Sequence, residues 1–75
     1  MSDVTRIAEL IARIAKIEPP APDADIYRAG LESTDALELL LELEDMFSVA
    51  IPDDRFITAR TSDDIAAMIG GIGGA

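Results

Sequence analysis

One stretch constrains the fold more than any other: Gly30-Leu31-Glu32-Ser33-Thr34-Asp35-Ala36-Leu37-Glu38-Leu39-Leu40-Leu41-Glu42-Leu43-Glu44-Asp45-Met46-Phe47. From Ser33 onward, leucines and carboxylates recur with the period of an α-helix, not of a strand. Set out at helical spacing, Ala36, Leu39, Leu40, Leu43 and Phe47 share one sector, which predicts the buried face. Thr34, Asp35, Glu38, Glu42 and Asp45 fill the opposite sector. Leu37, Leu41 and Glu44 fall on a flank close to the Ser33 line. Burying each large apolar side chain is worth about 1.5–3 kcal/mol, so this helix is the expected centre of the core.

The rest of the chain can be arranged around that helix. Asp3 to Ile17 carries Val4, Ile7, Ala8, Leu10, Ile11, Ile14 and Ala15 at three-and-four spacing, the mark of a second amphipathic helix. Ser2 or Asp3 can cap it, Glu9 and Arg13 form a well-oriented pair, and Lys16 suits its C-terminal end. Glu18-Pro19-Pro20-Ala21-Pro22-Asp23-Ala24-Asp25 must then be a long loop, because its prolines remove donors and force extended backbone. Asp23 and Asp25 do not begin a calcium loop, since Tyr27 and Arg28 occupy positions where a ligand and a glycine are required. Ile26, Tyr27 and Leu31 are the apolar anchors of this segment, and Gly30 ends it at a turn.

After the break Ser48–Pro52, Asp53 to Ile57 reads as a short helix, with Phe56 and Ile57 expected in the core. Thr61-Ser62-Asp63-Asp64 is a helix-start signature. Ile65, Ala66, Met68, Ile69 and Ile72 form the last apolar face, and Gly70–Ala75 is expected to dissolve it into a flexible tail. The expected fold is all-α: a single small domain over residues 1–75, built as a four-helix bundle of three main helices and a short third one, with a long loop between the first two.

Composition removes several chemistries. The 75 residues include no cysteine and no histidine. Disulfides, thiolate or imidazole metal sites and the usual nucleophile–base pairs are therefore excluded. The many carboxylates lie on a solvated face with nothing to tune them, so no catalytic site is expected. Fifteen acidic residues against six basic ones give a net charge of −9. Such a surface repels nucleic-acid phosphates and attracts basic protein partners. No run approaches a membrane span, and Met1-Ser2-Asp3-Val4 lacks the pattern of a secretory signal, so a cytoplasmic monomer is expected.

Ser33 is the remaining candidate for chemistry. One reading makes it the N-cap of its helix. The other makes it a modified hydroxyl, since a helix N-terminus favours an attached phosphate.

Residues 30–39, Gly30-Leu31-Glu32-Ser33-Thr34-Asp35-Ala36-Leu37-Glu38-Leu39, resemble the modification segment of acyl carrier proteins. Leu41 to Phe47, Ile51-Pro52-Asp53 and Thr61 match that family in type and register, so the resemblance spans about residues 4 to 70. It implies that Ser33 bears 4′-phosphopantetheine donated by coenzyme A, whose thiol carries an acyl or aminoacyl group as a thioester. It implies a partner-recognition surface at Asp35, Leu37, Glu38, Leu41, Glu44 and Asp45. The implied partners are a phosphopantetheinyl transferase, a loading ligase and downstream transferases or synthases with basic docking patches. It implies a carrier and not an enzyme, and it explains the missing cysteine, because the cofactor supplies the thiol. Glu32 stands where the family usually has aspartate, which keeps the charge on a longer side chain. Thr34 stands where leucine or methionine usually follows, which removes an apolar contact and adds a second hydroxyl. The alternative is an unmodified acidic helical module that binds partners through Leu37, Leu41 and the neighbouring acids.

Overall fold

The computed structural model describes residues 2–73. Those residues form five helices: α1 (Asp3–Ala15), α2 (Ile26–Ala29), α3 (Ser33–Phe47), α4 (Asp53–Phe56) and α5 (Ser62–Gly73). Three are long and two have four residues each. The all-helical expectation holds, with one element more than the four foreseen: α2 lies inside the long connection between the first two main helices.

Local chemistry fixes each boundary. Ser2 caps α1, its Oγ accepting the Thr5 N–H at 3.1 Å. α1 ends at Ala15 rather than Ile17, because Lys16 turns left-handed (φ 60°) and the Ala12 carbonyl accepts the N–H groups of both Lys16 and Ile17. α3 closes in the same way at Ser48 (φ 55°), where the Glu44 carbonyl accepts from Ser48 and Val49. At α5, Thr61 Oγ1 accepts the Asp64 N–H at 2.9 Å, as the helix-start signature requires. The Asp64 carboxylate accepts the Arg60 N–H at 3.0 Å, one residue upstream of the usual capping box.

α1 packs against both α3 and α5, and α4 packs on α5. The core joins Ile7, Leu10 and Ile11 of α1 to Leu39, Leu40 and Leu43 of α3 and Ile65, Met68 and Ile69 of α5. Ile26, Leu31, Ile51, Phe56 and Ala59 close it from the connections and short helices.

Four expectations need correction. Ile57 is 68% exposed, not buried, because the single turn of α4 can turn only Phe56 inward. Phe47 and Ala36 are half-buried; the Arg6 guanidinium lies 5.0 Å from the centre of the Phe47 ring and covers it. Arg13 pairs with Glu42 at 3.5 Å across the α1–α3 contact, not with Glu9. Finally, α5 continues through Gly70 and Gly71 to Gly73, so no tail begins at Gly70. The half-buried Ile72 packs against the core and holds this glycine-rich turn in the helix. Residues 74 and 75 of the expected tail lie outside the described residues.

Candidate functional site

The approach to Ser33 is built backwards from a glycine. Gly30 caps α2 at φ 133°, and a Cβ there would meet Ile17 Cγ2 at 2.9 Å. Both conditions select glycine. The next residue, Leu31, is buried and donates its N–H to the Ile26 carbonyl at 3.0 Å. Chain direction is thus fixed immediately before α3 begins.

The residue that caps α3 is Glu32, in extended conformation. Its N–H donates to Asp35 Oδ2 at 3.1 Å, so the acid three residues later closes the helix start. Ser33 is therefore the first helical residue and not the N-cap, and the capping reading of this serine is set aside. Its side chain is exposed. A hydroxyl in that position is accessible and stands beside amides that have no intrahelical carbonyl. The chain contains no histidine that could serve this hydroxyl as a base.

The six expected recognition residues separate into two groups. Leu37 (63% exposed), Leu41 (58%), Glu38 and Asp45 face solvent with Ser33 and Thr34, and at helical spacing all six share one continuous arc. Asp35 and Glu44 are half-buried and engaged with backbone: Asp35 in the cap, Glu44 through Oε2, which accepts the Ile51 N–H at 2.9 Å. Glu44 thereby ties the end of α3 to the Ser48–Pro52 break. Glu42 also leaves the expected acidic side, turning to Arg13. Leu37 and Leu41 consequently lie in the middle of the exposed arc rather than at its edge.

A shallow cavity of about 270 Å³ opens between α3 and α4, lined by Ala36, Leu37, Leu40, Asp53, Phe56 and Ile57. It begins one helical turn beyond Ser33. Ile57 extends the apolar surface from α3 onto α4, a contribution that sequence periodicity could not reveal in so short a helix.

The segment behind Ser33 is anchored by Asp25. Its Oδ1 caps α2 by accepting the N–H groups of Tyr27 (2.9 Å) and Arg28 (3.3 Å), while Oδ2 meets the Arg60 guanidinium at 3.1 Å. Desolvation pushes this carboxyl up, but the hydrogen bonds from Arg28, Arg60 and Tyr27 and the charge of Arg60 outweigh it, and the pKa is lowered. Among the described residues, no cluster of three or more acids is arranged to hold a metal ion, and no helix is long and apolar enough to cross a membrane.

The small helical protein thus presents a hydroxyl at a helix start, beside an acidic and apolar face. Comparison with known proteins gives its class. Residues 5–69 match the family model described as the phosphopantetheine attachment site. The chain is similar to an aminoacyl carrier protein of Agrobacterium fabrum, at 35% identity over 72 residues covering 84% of this chain and 87% of that one. It is also similar to an acyl carrier protein of Phytoplasma australiense, at 45% identity over 40 residues and 53% of each chain. The protein belongs to the acyl carrier protein family, defined by the phosphopantetheine attachment domain. Its prosthetic group is covalently attached 4′-phosphopantetheine, and it is a carrier, not an enzyme.

Proposed function

We propose that Ser33 bears the phosphopantetheine arm and that the protein presents acyl or aminoacyl groups to partner enzymes as thioesters on it. The observation that carries this reading is the position of Ser33: exposed, first in α3, and relieved of capping duty by Glu32 and Asp35. The surroundings fit the group. The first-turn amides and the helix dipole favour a phosphodiester. The cavity between Leu37 and Ile57 would offer a bound arm an apolar surface. When bound, the group supplies a thiol, which this chain lacks. Attachment forms a bond from Ser33 Oγ to the pantetheine-side phosphorus of coenzyme A. The pyrophosphate bond to that phosphorus breaks, and the nucleotide leaves with the electron pair. The serine proton passes to a base on the transferase.

Leu37, Glu38, Leu41 and Asp45 form the exposed docking face for the transferase and for loading and unloading enzymes, with Asp35 and Glu44 shaping it from beneath. The longer of the two likenesses, to an aminoacyl carrier protein, supports an amino acid as one cargo. The test is intact-mass measurement after incubation of the apo-protein with coenzyme A and a phosphopantetheinyl transferase. The wild type should gain one phosphopantetheine and Ser33→Ala none. Failure of the wild type to gain mass with several transferases would sink the proposal. A modified Ser33→Ala protein would move the attachment to Thr34.

A further inference from the structure

We propose that Arg60, in the connection from α4 to α5, is a positioning residue for the loading of Ser33. The inference rests on Ser33 being the attachment site. Arg60 makes four contacts through its backbone and side chain, and three of them converge on the cap and first residues of α2. Its carbonyl accepts the Ile26 N–H at 2.8 Å. Its Nε and terminal nitrogen both reach Asp25 Oδ2 at 3.1 Å. Its guanidinium lies 4.8 Å from the centre of the Tyr27 ring. Its N–H donates to Asp64, which fixes the other end of this latch to the start of α5. A second strap runs alongside, from the Asp63 N–H to the Pro22 carbonyl at 3.0 Å.

α2 depends on this latch. A helix of four residues does not hold itself together in water, and Ile26 is its sole buried residue. Asp25 divides its two oxygens between capping α2 and holding Arg60. The far end of α2 sets the path to Ser33, because the Ile26 carbonyl accepts the N–H groups of both Gly30 and Leu31. Loss of the Arg60 side chain releases Asp25 and Tyr27 and loosens the turn that delivers Glu32 and Ser33 to the start of α3, while the Ile26 N–H keeps the Arg60 carbonyl.

The long helices have caps of their own: α5 is capped by Thr61 and α3 by the Glu32–Asp35 pair, and the core that joins them to α1 is apolar. The docking residues Glu38, Leu41 and Asp45 lie further along α3. Arg60 therefore governs where the hydroxyl is held, not whether the transferase binds. A small misplacement of a reacting group costs up to about a hundredfold in rate.

The test measures kcat and KM of a phosphopantetheinyl transferase for the wild type, Arg60→Gln, Arg60→Lys and Tyr27→Leu, together with amide hydrogen exchange on the same apo-proteins. Arg60→Gln should lower kcat about tenfold while KM stays within about twofold. Arg60→Lys keeps the charge but not the fork or the stacking, so it should fall between wild type and Arg60→Gln. Tyr27→Leu keeps an apolar anchor and should show a smaller loss of kcat. In Arg60→Gln the amides of Tyr27, Gly30 and Leu31 should lose protection while those of Leu39, Leu40 and Leu43 keep it. Wild-type kcat in Arg60→Gln, or a rise in KM with kcat unchanged, would overturn the inference, the latter assigning Arg60 to direct contact with the transferase. Unchanged protection at Gly30 and Leu31 would overturn it as well. If the wild type gains no mass, the assignment of Ser33 fails on its own, and the exchange pattern still decides whether Arg60 holds α2.

Discussion

Replacing Gly30 by alanine should destabilise the protein far more than a surface substitution. Two independent costs arise at this position. The backbone sits at φ 133°, where an L-residue is strained by about 1–3 kcal/mol. The new Cβ would also approach Ile17 Cγ2 to 2.9 Å. Ile17 packs against the core and its γ-methyl is attached directly to the β-carbon, so relief requires the whole side chain or the backbone to shift. Overpacking of this kind costs about 1–3 kcal/mol. The sum, about 2–6 kcal/mol, compares with a total stability of about 4–11 kcal/mol for a domain of this length. Each 1 kcal/mol lowers Tm by about 4–8 °C at this size, so even the lower bound lowers it by about 8–16 °C. Thermal and urea unfolding followed by far-UV circular dichroism would measure the loss. The double variant Gly30→Ala, Ile17→Ala separates the two costs, because removal of Cγ2 relieves the contact and leaves the backbone strained. It should be less destabilised than the sum of the single variants by about 1 kcal/mol or more. A Gly30→Ala protein that melts within about 4 °C of the wild type would refute the reasoning. Additivity in the cycle would refute the contact alone.

Further expectations follow from the same geometry. Glu38→Lys with Asp45→Lys should slow loading by the transferase and flatten its salt dependence while the helical signal is retained; unchanged kinetics at low salt would remove these acids from the docking face. Ser62 is fully buried and its hydroxyl has no hydrogen-bond partner among the described residues. Ser62→Ala should therefore raise stability by about 1 kcal/mol in urea titrations, and a clear loss would reveal a partner for that oxygen. The lowered pKa of Asp25 means that its contribution to stability is present above the ordinary value of 3.8 and is lost as the pH falls through the lower folded value. Acid unfolding of the wild type and Asp25→Asn should accordingly converge below that window and diverge above it, with the wild type the more stable; parallel curves would contradict the shift.

The three long helices were legible because each repeats its apolar period over three or more turns. Ile7, Ile11, Leu39, Leu43 and Ile65 are buried where that period places them. The short helices were legible in part. Asp25 and Gly30 bracket α2 as a start and a stop, a pair of signals that could have marked it, but four residues show no periodicity. The same shortage left the direction of Ile57 open. Glu44 looked like a surface acid because its role depends on the turn at Ser48 bringing the Ile51 N–H within reach. Arg60 carried no signal, since its partners lie in a loop far away in sequence. The serine read from its neighbours held its place at the start of α3, but one position inside the cap, since Asp35 reaches back to Glu32.

Among the described residues three helices, α1, α2 and α3, end on a residue of positive φ, and of these α2 alone uses glycine. Lys16 and Ser48 adopt φ near 60° with a Cβ present, a conformation that costs an L-residue about 1–2 kcal/mol. Part of that cost is offset because glycine would have more freedom to lose on folding. At these two helix ends the fold consequently stands short of the stability its own topology permits. Such a reserve matters to a carrier lineage that changes partners. A substitution on α3 that weakens the core while altering recognition can be compensated at position 16, which lies at the end of α1.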